Sequence, residues 1–541
     1  MSSVAPVPSG PPSRQEGSRL MIRVAHSPDA APLFTALVAA YNQASREFQV
    51  QPQALEFEPL LQAAIRGDLV GISPDASLVL NDVERAWRQS QPQAPPLVGH
   101  TVRYATSPVV IAVRSDRASG QLPTGWQTLI SGGLRWAHLS SLTTSSGLLA
   151  LGAEFYAAAG TQKLERGDID RPDVLQRVAA MEKSVARYGG ESEEKVVEYL
   201  LTPEAATALD AMVLSEAQVV SLNQKASAQR QPLWHAVYPV EGTLMMDHPL
   251  TLIEHPTLSP PARRAFLDFA RFLASEPAQR LVIAQGYRPA SYQADLQGGP
   301  ITSANAVNPA QPALLPLPSP GTLAAMRDLW AGGLKRPANI LLVVDVSGSM
   351  SEENRLSQAK RALEAFVAAA AQKGGGRDRV GLDSFSSDYH SLVPVQPIGE
   401  NRDQLLAAIQ NLRAQGDTAL FYAAWFGQQK LLAMDDAERI NAVVLMTDGL
   451  ENQSRTFEGR RTTAGVVPTL TSGSSDPGNL VRALQLAQVR HDAKVLLFTV
   501  GYGKGANERT MRSIASATGG QYYFADPANI AQLYTLIQEN F

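Results

Sequence analysis

The sequence predicts an α/β protein in two parts, the second of which is a doubly wound sheet. After about residue 337, short apolar runs alternate with helical patterns, as expected for a mostly parallel sheet with helices on both faces. A charge-free stretch rich in Pro, Ser, Asn and Gly, residues 298–321, separates this part from the first. Such a composition predicts a semi-rigid extended linker.

The resulting organisation has four segments. We expect a disordered tail over 1–19, because this stretch is rich in Pro and Ser and has no apolar core of a signal peptide. A first α/β domain is predicted over 20–292. A Pro-rich linker with a short helix covers 293–336, and the doubly wound domain covers 337–541.

Composition excludes several classes of function. The chain has 541 residues and a net charge of −4, with no Lys/Arg run, so nucleic acid is not an expected partner. No apolar run approaches the ~20 residues of a membrane helix, so no membrane span is expected. The absence of cysteine excludes disulfides, thiol catalysis and Cys-ligated zinc.

The first part shows a looser alternation of elements. Strands are predicted at 21–26, 104–114 and 134–139, and helices at 32–45 and 148–159.

The second part alternates more regularly. Strands are predicted at 339–345, 379–385, 441–447, 494–500 and 521–524, and helices at 355–372, 402–412, 419–434, 479–490, 508–518 and 527–539. The runs NILLVVD and NAVVLMT are continuous and apolar, as in strands buried on both faces.

Three polar segments follow strands or precede helices in the second part. Asp345, Ser347 and Ser349 end the first strand, Thr418 precedes a helix, and Asp448 ends the second buried strand. Because ligands of such sheets bind at the carboxyl ends of the strands, we expect these side chains to converge. An all-oxygen set with two carboxylates suits Mg²⁺, or Mn²⁺, and leaves a position open for a foreign carboxylate. The alternative is that Asp345 and the serines only cap the following helix.

The order D-x-S-x-S, then Thr, then Asp resembles the metal-ion-dependent adhesion site of von Willebrand factor A domains. The resemblance implies a Rossmann-like fold in which the two serines and the threonine coordinate the ion and the aspartates act directly or through water. It extends to the later Val500–Gly503 and Gly519–Tyr523 segments. Two departures are an aspartate inside a strand, Asp383, and an insertion at 453–478.

Residues 21–292 resemble bacterial extracellular solute-binding proteins of the two-lobed periplasmic type. The segments that carry the resemblance are AHSPDAAPLFTALVAAYNQ, TSPVVIAV, TTSSG, VYPVEGTLMMDHPLTLI and FARFLASEPAQRLVIAQGYRPA. In that fold, two lobes close over a ligand at helix amino termini. By spacing, the candidate ligand-binding residues are Ser27, Ser107, Thr144, Ser145 and Ser146. Hydroxyls at helix starts suit a small solute or anion, whereas the alternative is that they cap helices beside a vestigial or protein-directed cleft.

These observations favour a non-enzymatic binding protein without catalytic residues. No G-x-S-x-G surrounds Ser347, no H-E-x-x-H occurs, and GYGKG lacks the spacing of a phosphate loop. We expect the doubly wound domain, residues 337–541 and called the A domain below, to engage an Asp or Glu carboxylate of a partner protein. The alternative is a solute receptor of a transport or signalling system that uses the A domain as a docking platform. The resemblance favours an extracytoplasmic or cell-surface location.

Overall fold

The computed structural model of the chain describes residues 19–117, 122–189, 192–290, 295–373, 376–450, 461–462, 465–466, 478–503, 505–527, 529–530, 533–534 and 537. Within them the protein is α/β throughout, which confirms the predicted fold class. The predicted tail, most of the 453–478 insertion and most of the last predicted helix lie outside the described residues.

The elements of the first lobe are β1 (Leu20–His26), α1 (Ala31–Ala44), β2 (Phe48–Ala54), α2 (Phe57–Ile65), β3 (Gly71–Ser73), α3 (Leu78–Ser90), β4 (Val98–Arg103), β11 (Pro249–Ile253), α11 (Pro260–Leu273) and α12 (Glu276–Ala284). Its five strands form one sheet with the order β2-β1-β3-β11-β4. The two carboxyl-terminal helices, α11 and α12, follow β11 and pack back onto β1 and α1.

Most of the second lobe is inserted between β4 and β11, and β12 returns to it after α12, so the chain crosses between the lobes three times. Its sheet has the order β10-β5-β8-β6-β7, with β9 and β12 also paired to β5. The elements are β5 (Ala105–Arg114), α4 (Trp126–Ser131), β6 (Trp136–Leu139), α5 (Ser145–Ala159), α6 (Arg166–Ile169), α7 (Pro172–Ser184), β7 (Arg187–Gly189), α8 (Glu193–Leu200), α9 (Pro203–Ala208), β8 (Ala211–Ser215), α10 (Glu216–Ala228), β9 (Trp234–Val237), β10 (Met245–Met246) and β12 (Arg288–Pro289).

The Pro-rich segment runs along the surface of the first part and buries apolar side chains on it. Ile301, Val307 and Leu315 are buried, and the backbone around Leu315 pairs with Thr243. Helix α13 (Pro320–Leu329) packs on α5 and is followed by a π-helical turn, Trp330–Leu334. The segment is therefore held against the first part by packing as well as by chain connectivity.

The A-domain sheet has six strands in the order β15-β14-β13-β16-β19-β20, all parallel except β15 at one edge. Helices α14 and α15 cover one face, and α16, α17 and α18 cover the other. The elements are β13 (Ala338–Asp345), α14 (Arg355–Lys373), β14 (Arg379–Phe385), β15 (Tyr389–Pro397), α15 (Ile398–Asn411), α16 (Leu420–Leu432), β16 (Ile440–Thr447), β17 (Arg461–Thr462), β18 (Gly465–Val466), α17 (Gly478–Val489), β19 (Val495–Tyr502), α18 (Glu508–Ser516) and β20 (Tyr522–Ala525).

The A domain contacts the first part through the amino ends of its parallel strands. The Arg187 guanidinium donates to Gln521 Oε1 (3.2 Å) and lies over the Phe498 ring at 5.2 Å. Lys183 pairs with Glu438 just before β16. The Arg336 side chain, just before β13, donates to the carbonyl of Val185. The carboxyl ends of the same strands therefore face away from the first part.

Candidate functional site

Asp345 organises the carboxyl end of the central strand β13. Its side chain is fully buried. One carboxylate oxygen accepts from the Ser347 backbone N–H (2.7 Å), and the other accepts from the Thr447 hydroxyl at the end of β16 (2.5 Å). Burial raises the pKa of Asp345 to about 6, although both hydrogen-bonding neighbours act to lower it. The carboxylate thereby links the loop after β13 to the neighbouring strand.

Ser347, Ser349 and Asp448 form one chain of hydrogen bonds. Ser349 Oγ donates to Asp448 Oδ1 (2.8 Å), and Ser347 Oγ lies 3.1 Å from Ser349 Oγ. Because the single Ser349 proton goes to Asp448, Ser347 donates to Ser349. The structure thus brings these three predicted residues together with Asp345.

Thr418 approaches from the loop before α16. This loop is held by a hydrogen bond from the Gly348 N–H to the carbonyl of Gly416 (2.9 Å). A Cβ placed on Gly449 would lie 3.2 Å from Thr418 Oγ1 and 3.8 Å from Ser349 Oγ. The Thr418 and Ser349 hydroxyls therefore both lie close to Gly449, whose missing side chain leaves room for them.

The donor set fits a hard divalent cation. It offers three hydroxyls and two carboxylates at one sheet edge and no nitrogen or sulfur, which is the chemistry that Mg²⁺ and Mn²⁺ prefer.

Sequence reasoning did not single out Arg355 or Thr447. The Arg355 guanidinium donates to Asp448 Oδ2 (2.8 Å) and also pairs with Glu353. Arg355 begins the helix that follows the serine loop, and this position was the signal in the sequence. Spacing alone does not show in which direction the Arg355 side chain points.

Asp383, the aspartate inside a predicted strand, is fully buried in β14 and lies apart from the metal-type cluster. Lys430 Nζ lies 2.8 Å from both of its oxygens, and the Tyr389 hydroxyl donates to it (2.6 Å). Its polar contacts are thus a buried ion pair between the sheet and α16.

Three of the five predicted solute-cleft residues line one small cavity between the lobes: Ser27, Thr144 and Ser145. Carboxylates share this cavity, since Asp29 and Asp75 also line it and the Ser27 hydroxyl donates to Asp75. The cavity measures about 50 Å³, which is small for a solute.

The lobes are joined directly across this cavity. Asp29 Oδ1, in the turn after β1, accepts from the Glu194 N–H at the start of α8 (2.9 Å), and the Gln218 amide donates to the Asp29 carbonyl (2.8 Å). This is a closed arrangement of the two lobes.

The remaining predicted cleft residues contact other groups. Ser107 is fully buried, and its hydroxyl accepts from the Ala217 N–H at the start of α10 (3.0 Å). Ser146 is buried beside Glu193. Thr144, which lines the cavity, also caps α5 by accepting from the Gly147 N–H.

Buried carboxylates dominate the electrostatics here. Burial raises the pKa of Asp75 to about 7 and that of Glu193 to about 8. Burial, and then the charge of Asp75, raise the pKa of Asp29 well above its usual range.

A two-lobed α/β part with a cleft, followed by a doubly wound domain with an oxygen-lined strand edge, defines a binding protein of composite architecture. The family model for bacterial extracellular solute-binding proteins matches residues 22–288, and that for the von Willebrand factor type A domain matches residues 339–539. The chain joins a solute-binding-protein domain to a von Willebrand factor A domain.

Curated relatives match only over part of their length. The calcium-activated chloride channel regulator 3A-1 of Mus musculus is 30% identical over 138 residues, which are 25% of this chain and 15% of the relative. An uncharacterized protein of Synechocystis sp. is 28% identical over 193 residues, covering 36% of this chain and 39% of that protein. The chain thus spans well under half of each.

Solved structures resemble each part separately. A periplasmic thiamin binding protein is 14% identical, with a TM-score of 0.43, and the match covers 59% of this chain and 97% of that one. A von Willebrand factor type A protein from Catenulispora acidiphila is 18% identical, with a TM-score of 0.30, and covers 38% of this chain and 43% of that one. Within the described residues, no helix combines the length and apolar character needed to cross a bilayer.

Proposed function

We propose that the protein is a non-enzymatic binding protein whose A domain holds Mg²⁺ or Mn²⁺ and uses it to bind a carboxylate of a partner protein. The ion would be held by Asp345, Ser347, Ser349, Thr418 and Asp448. The observation that carries the proposal is the hydrogen-bonded chain from Ser347 through Ser349 to Asp448, next to Thr418. Hydroxyls that now share protons with one another and with Asp448 have oxygen lone pairs to offer a cation.

The orientation of the A domain agrees with a role in binding. Its metal-type edge faces away from the first part, because the amino ends of the strands make the contacts between the two parts. A partner can therefore approach that edge without displacing the first part. Both the architecture and the solute-binding family match favour an extracytoplasmic location.

The test is calorimetric titration of Mg²⁺ and Mn²⁺ into the full chain and into Asp448→Ala. We expect the variant to lose at least about tenfold in metal affinity, since it removes a charged oxygen and the acceptor of the Ser349 hydroxyl. The variant should still fold, with a loss of about 1–3 kcal/mol of stability without metal, because Ser349 and Arg355 lose their acceptor.

The matched control is Asp403→Ala, which removes an exposed carboxylate from α15 of the same domain. Metal affinity equal to that of the parent in Asp448→Ala, or an equal loss in Asp403→Ala, would contradict the proposal. A partner captured by the parent chain should be released by chelator and regained only on adding the ion.

For the first part we propose a small solute bound between the lobes, with the cleft open in the receptive state. The carboxylates of Asp29, Glu56 and Asp75 line the cavity against the guanidinium of Arg327, so the charge balance favours a cationic or neutral solute over an anion. Thermal unfolding of the chain with a panel of organic cations, neutral solutes and oxyanions tests this. We expect stabilisation by cations; stabilisation by oxyanions alone would overturn the charge argument. No stabilisation by any solute would favour a cleft that binds protein.

A further inference from the structure

A second cluster of ligating side chains lies far from the A-domain edge, inside the second lobe. His138 on β6, Glu154 on α5 and Glu182 on α7 are all fully buried. One ligand atom from each lies within 4.8 Å of the other two. Two carboxylates and an imidazole shielded from water form a costly arrangement unless a positive charge is shared among them.

The tautomer of His138 is fixed by its other ring nitrogen. Nδ1 lies 2.7 Å from the carbonyl oxygen of Leu139, which can only accept, so Nδ1 carries the proton. Nε2 has no hydrogen-bond partner and lies 3.5 Å from Glu182 Oε1. In the neutral ring, a nitrogen lone pair thus faces a carboxylate oxygen, which is a repulsive contact in the absence of a cation.

Glu182 is oriented by two donors, whereas Glu154 has none. The Trp330 indole donates to Glu182 Oε1 (2.8 Å) and the Tyr188 hydroxyl donates to Oε2 (2.7 Å). Neither oxygen of Glu154 has a hydrogen-bond partner, although both are buried. In metal sites, outer groups commonly hydrogen-bond to the ligands and fix their orientation. Here the donors to Glu182 and the carbonyl that accepts from His138 Nδ1 have this arrangement.

We propose that His138, Glu154 and Glu182 form a buried site for a divalent transition-metal ion, of which Zn²⁺ is the best-fitting example. One imidazole nitrogen and two carboxylate oxygens are typical zinc ligands, and two negative charges balance a divalent ion. Two ligands about 2.1 Å from a tetrahedral ion lie about 3.4 Å apart, close to the observed separation of His138 Nε2 and Glu182 Oε1.

The rival occupant of the site is a proton. Burial, and then the neighbouring Glu182 charge, raise the pKa of Glu154 well above its usual range, so a protonated Glu154 could share its hydrogen with Glu182. A proton shared by the two glutamates leaves His138 Nε2 unpartnered, whereas a metal ion engages all three side chains. This difference makes the two occupants distinguishable.

The site would also brace the connection to the A domain. Tyr188, which donates to Glu182, accepts from the Arg336 backbone N–H (2.9 Å) directly before β13. Trp330 belongs to the turn that leads into the same strand. An ion that fixes Glu182 would therefore restrain both residues that anchor the start of the A domain.

The experiment measures zinc bound per chain. The full chain and its variants are produced in zinc-supplemented medium, dialysed against buffer with excess Mg²⁺, and analysed by elemental mass spectrometry. Glu154→Gln keeps the shape of the side chain and removes a buried acid, so it should fold at least as well as the parent. The parent should retain one Zn²⁺ per chain, and Glu154→Gln should lose it or bind it about 100-fold more weakly.

Two further variants separate this site from others. Asp448→Ala should keep the zinc, which distinguishes this ion from one at the A-domain edge. His491→Gln removes a histidine with a one-third exposed side chain, which lies 3.5 Å from Asp435, and controls for surface binding. The proposal fails if the parent holds no zinc, if the zinc is lost with His491→Gln, or if Glu154→Gln retains it. Cobalt loaded in place of zinc should give the intense visible bands of a tetrahedral centre in the parent and not in Glu154→Gln.

Discussion

At the scale of single residues, Arg355 is the main addition that the structure makes to the A-domain site. Its guanidinium already occupies one oxygen of Asp448, and the side chain is one-fifth exposed. A fixed positive charge beside a cation site weakens metal binding through repulsion, while it also holds the aspartate in place. At a partly exposed position the repulsion is worth about 1 kcal/mol.

We expect Arg355→Gln to bind Mg²⁺ about five- to tenfold more tightly than the parent at low ionic strength, with a smaller gain at high salt. Calorimetric titration at two salt concentrations measures this. Arg379→Gln is the matched control, because Arg379 pairs with Asp436 at the opposite end of the same sheet. If Arg355→Gln binds Mg²⁺ more weakly, the arginine acts mainly by positioning Asp448.

The residues of the candidate metal site could be chosen from the sequence because each directly follows an apolar run or precedes a helix. Their mutual contacts could not be predicted from the sequence, because the loop that carries Thr418 is positioned by a backbone hydrogen bond between Gly348 and Gly416. The role of Asp383 was equally inaccessible, because its partner Lys430 lies 47 residues further along the chain. The spacing of residues along the chain indicates at which edge of the sheet a residue lies, whereas its side-chain contacts depend on how the elements pack.

At the scale of elements, the central strands of the A domain, which are buried on both faces, were predictable, whereas β2–β4 and β7–β12 of the first part were not. The runs that form β13 and β16 are continuous and apolar, and both strands are buried along their whole length. The long strand missed in this domain is β15, which lies at the sheet edge with mostly exposed side chains and two prolines. Proline is tolerated at a sheet edge, so a sequence that reads as a loop forms a strand there.

The turn after β1 and the start of α8 meet across the cleft, and their contact should depend on pH. Asp75 and Glu193 have folded-state pKa values of about 7 and about 8, above the unfolded values of about 4. The folded state therefore binds more protons between these limits, so its stability is greatest near the acid end and falls as pH rises through 7 and 8. A cation bound between the lobes would take the place of the protons on these two carboxylates.

Urea unfolding at pH 6 and at pH 9 tests this expectation. The parent should be less stable at pH 9, and Glu193→Gln should reduce the difference because it cannot ionise. Glu198→Gln, an exposed acid on the same helix, should behave as the parent. An unchanged pH dependence in Glu193→Gln would show that this carboxylate is already ionised in the folded chain at pH 6, so that its pKa is not raised.

At the scale of the whole molecule, the contact between the two parts depends on a close approach at Gly519. This residue has φ +80°, and a Cβ there would lie 3.0 Å from Cβ of Ala208 at the end of α9. The Tyr199 hydroxyl donates to its carbonyl (3.4 Å), and the Thr207 hydroxyl donates to that of Ser516 (3.2 Å). A side chain at 519 would therefore press directly on the first part.

We expect Gly519→Ala to loosen this contact and to increase hydrogen exchange in α9. Gly503→Ala is the matched control, because Gly503 has a similar φ of +70°, but a Cβ placed there would meet no heavy atom of the described residues within 4 Å. Both substitutions should cost about 1–2 kcal/mol of backbone strain. Only the change at Gly519 should alter exchange on the other side of the interface; equal effects in α9 would contradict the proposed role of this glycine.

The attachment of the A domain by the amino ends of its strands has a mechanical consequence. A partner that pulls on the far edge would apply tension along β13 and β16, over roughly 25 Å of eight-residue strand. That load would reach the anchor formed by Arg336 and Tyr188 in line with the strands. Tension in this direction shears many ladder hydrogen bonds at once instead of peeling them apart one by one. Load applied at the candidate metal edge would thus pass along the strands of the A domain to the solute-binding lobes.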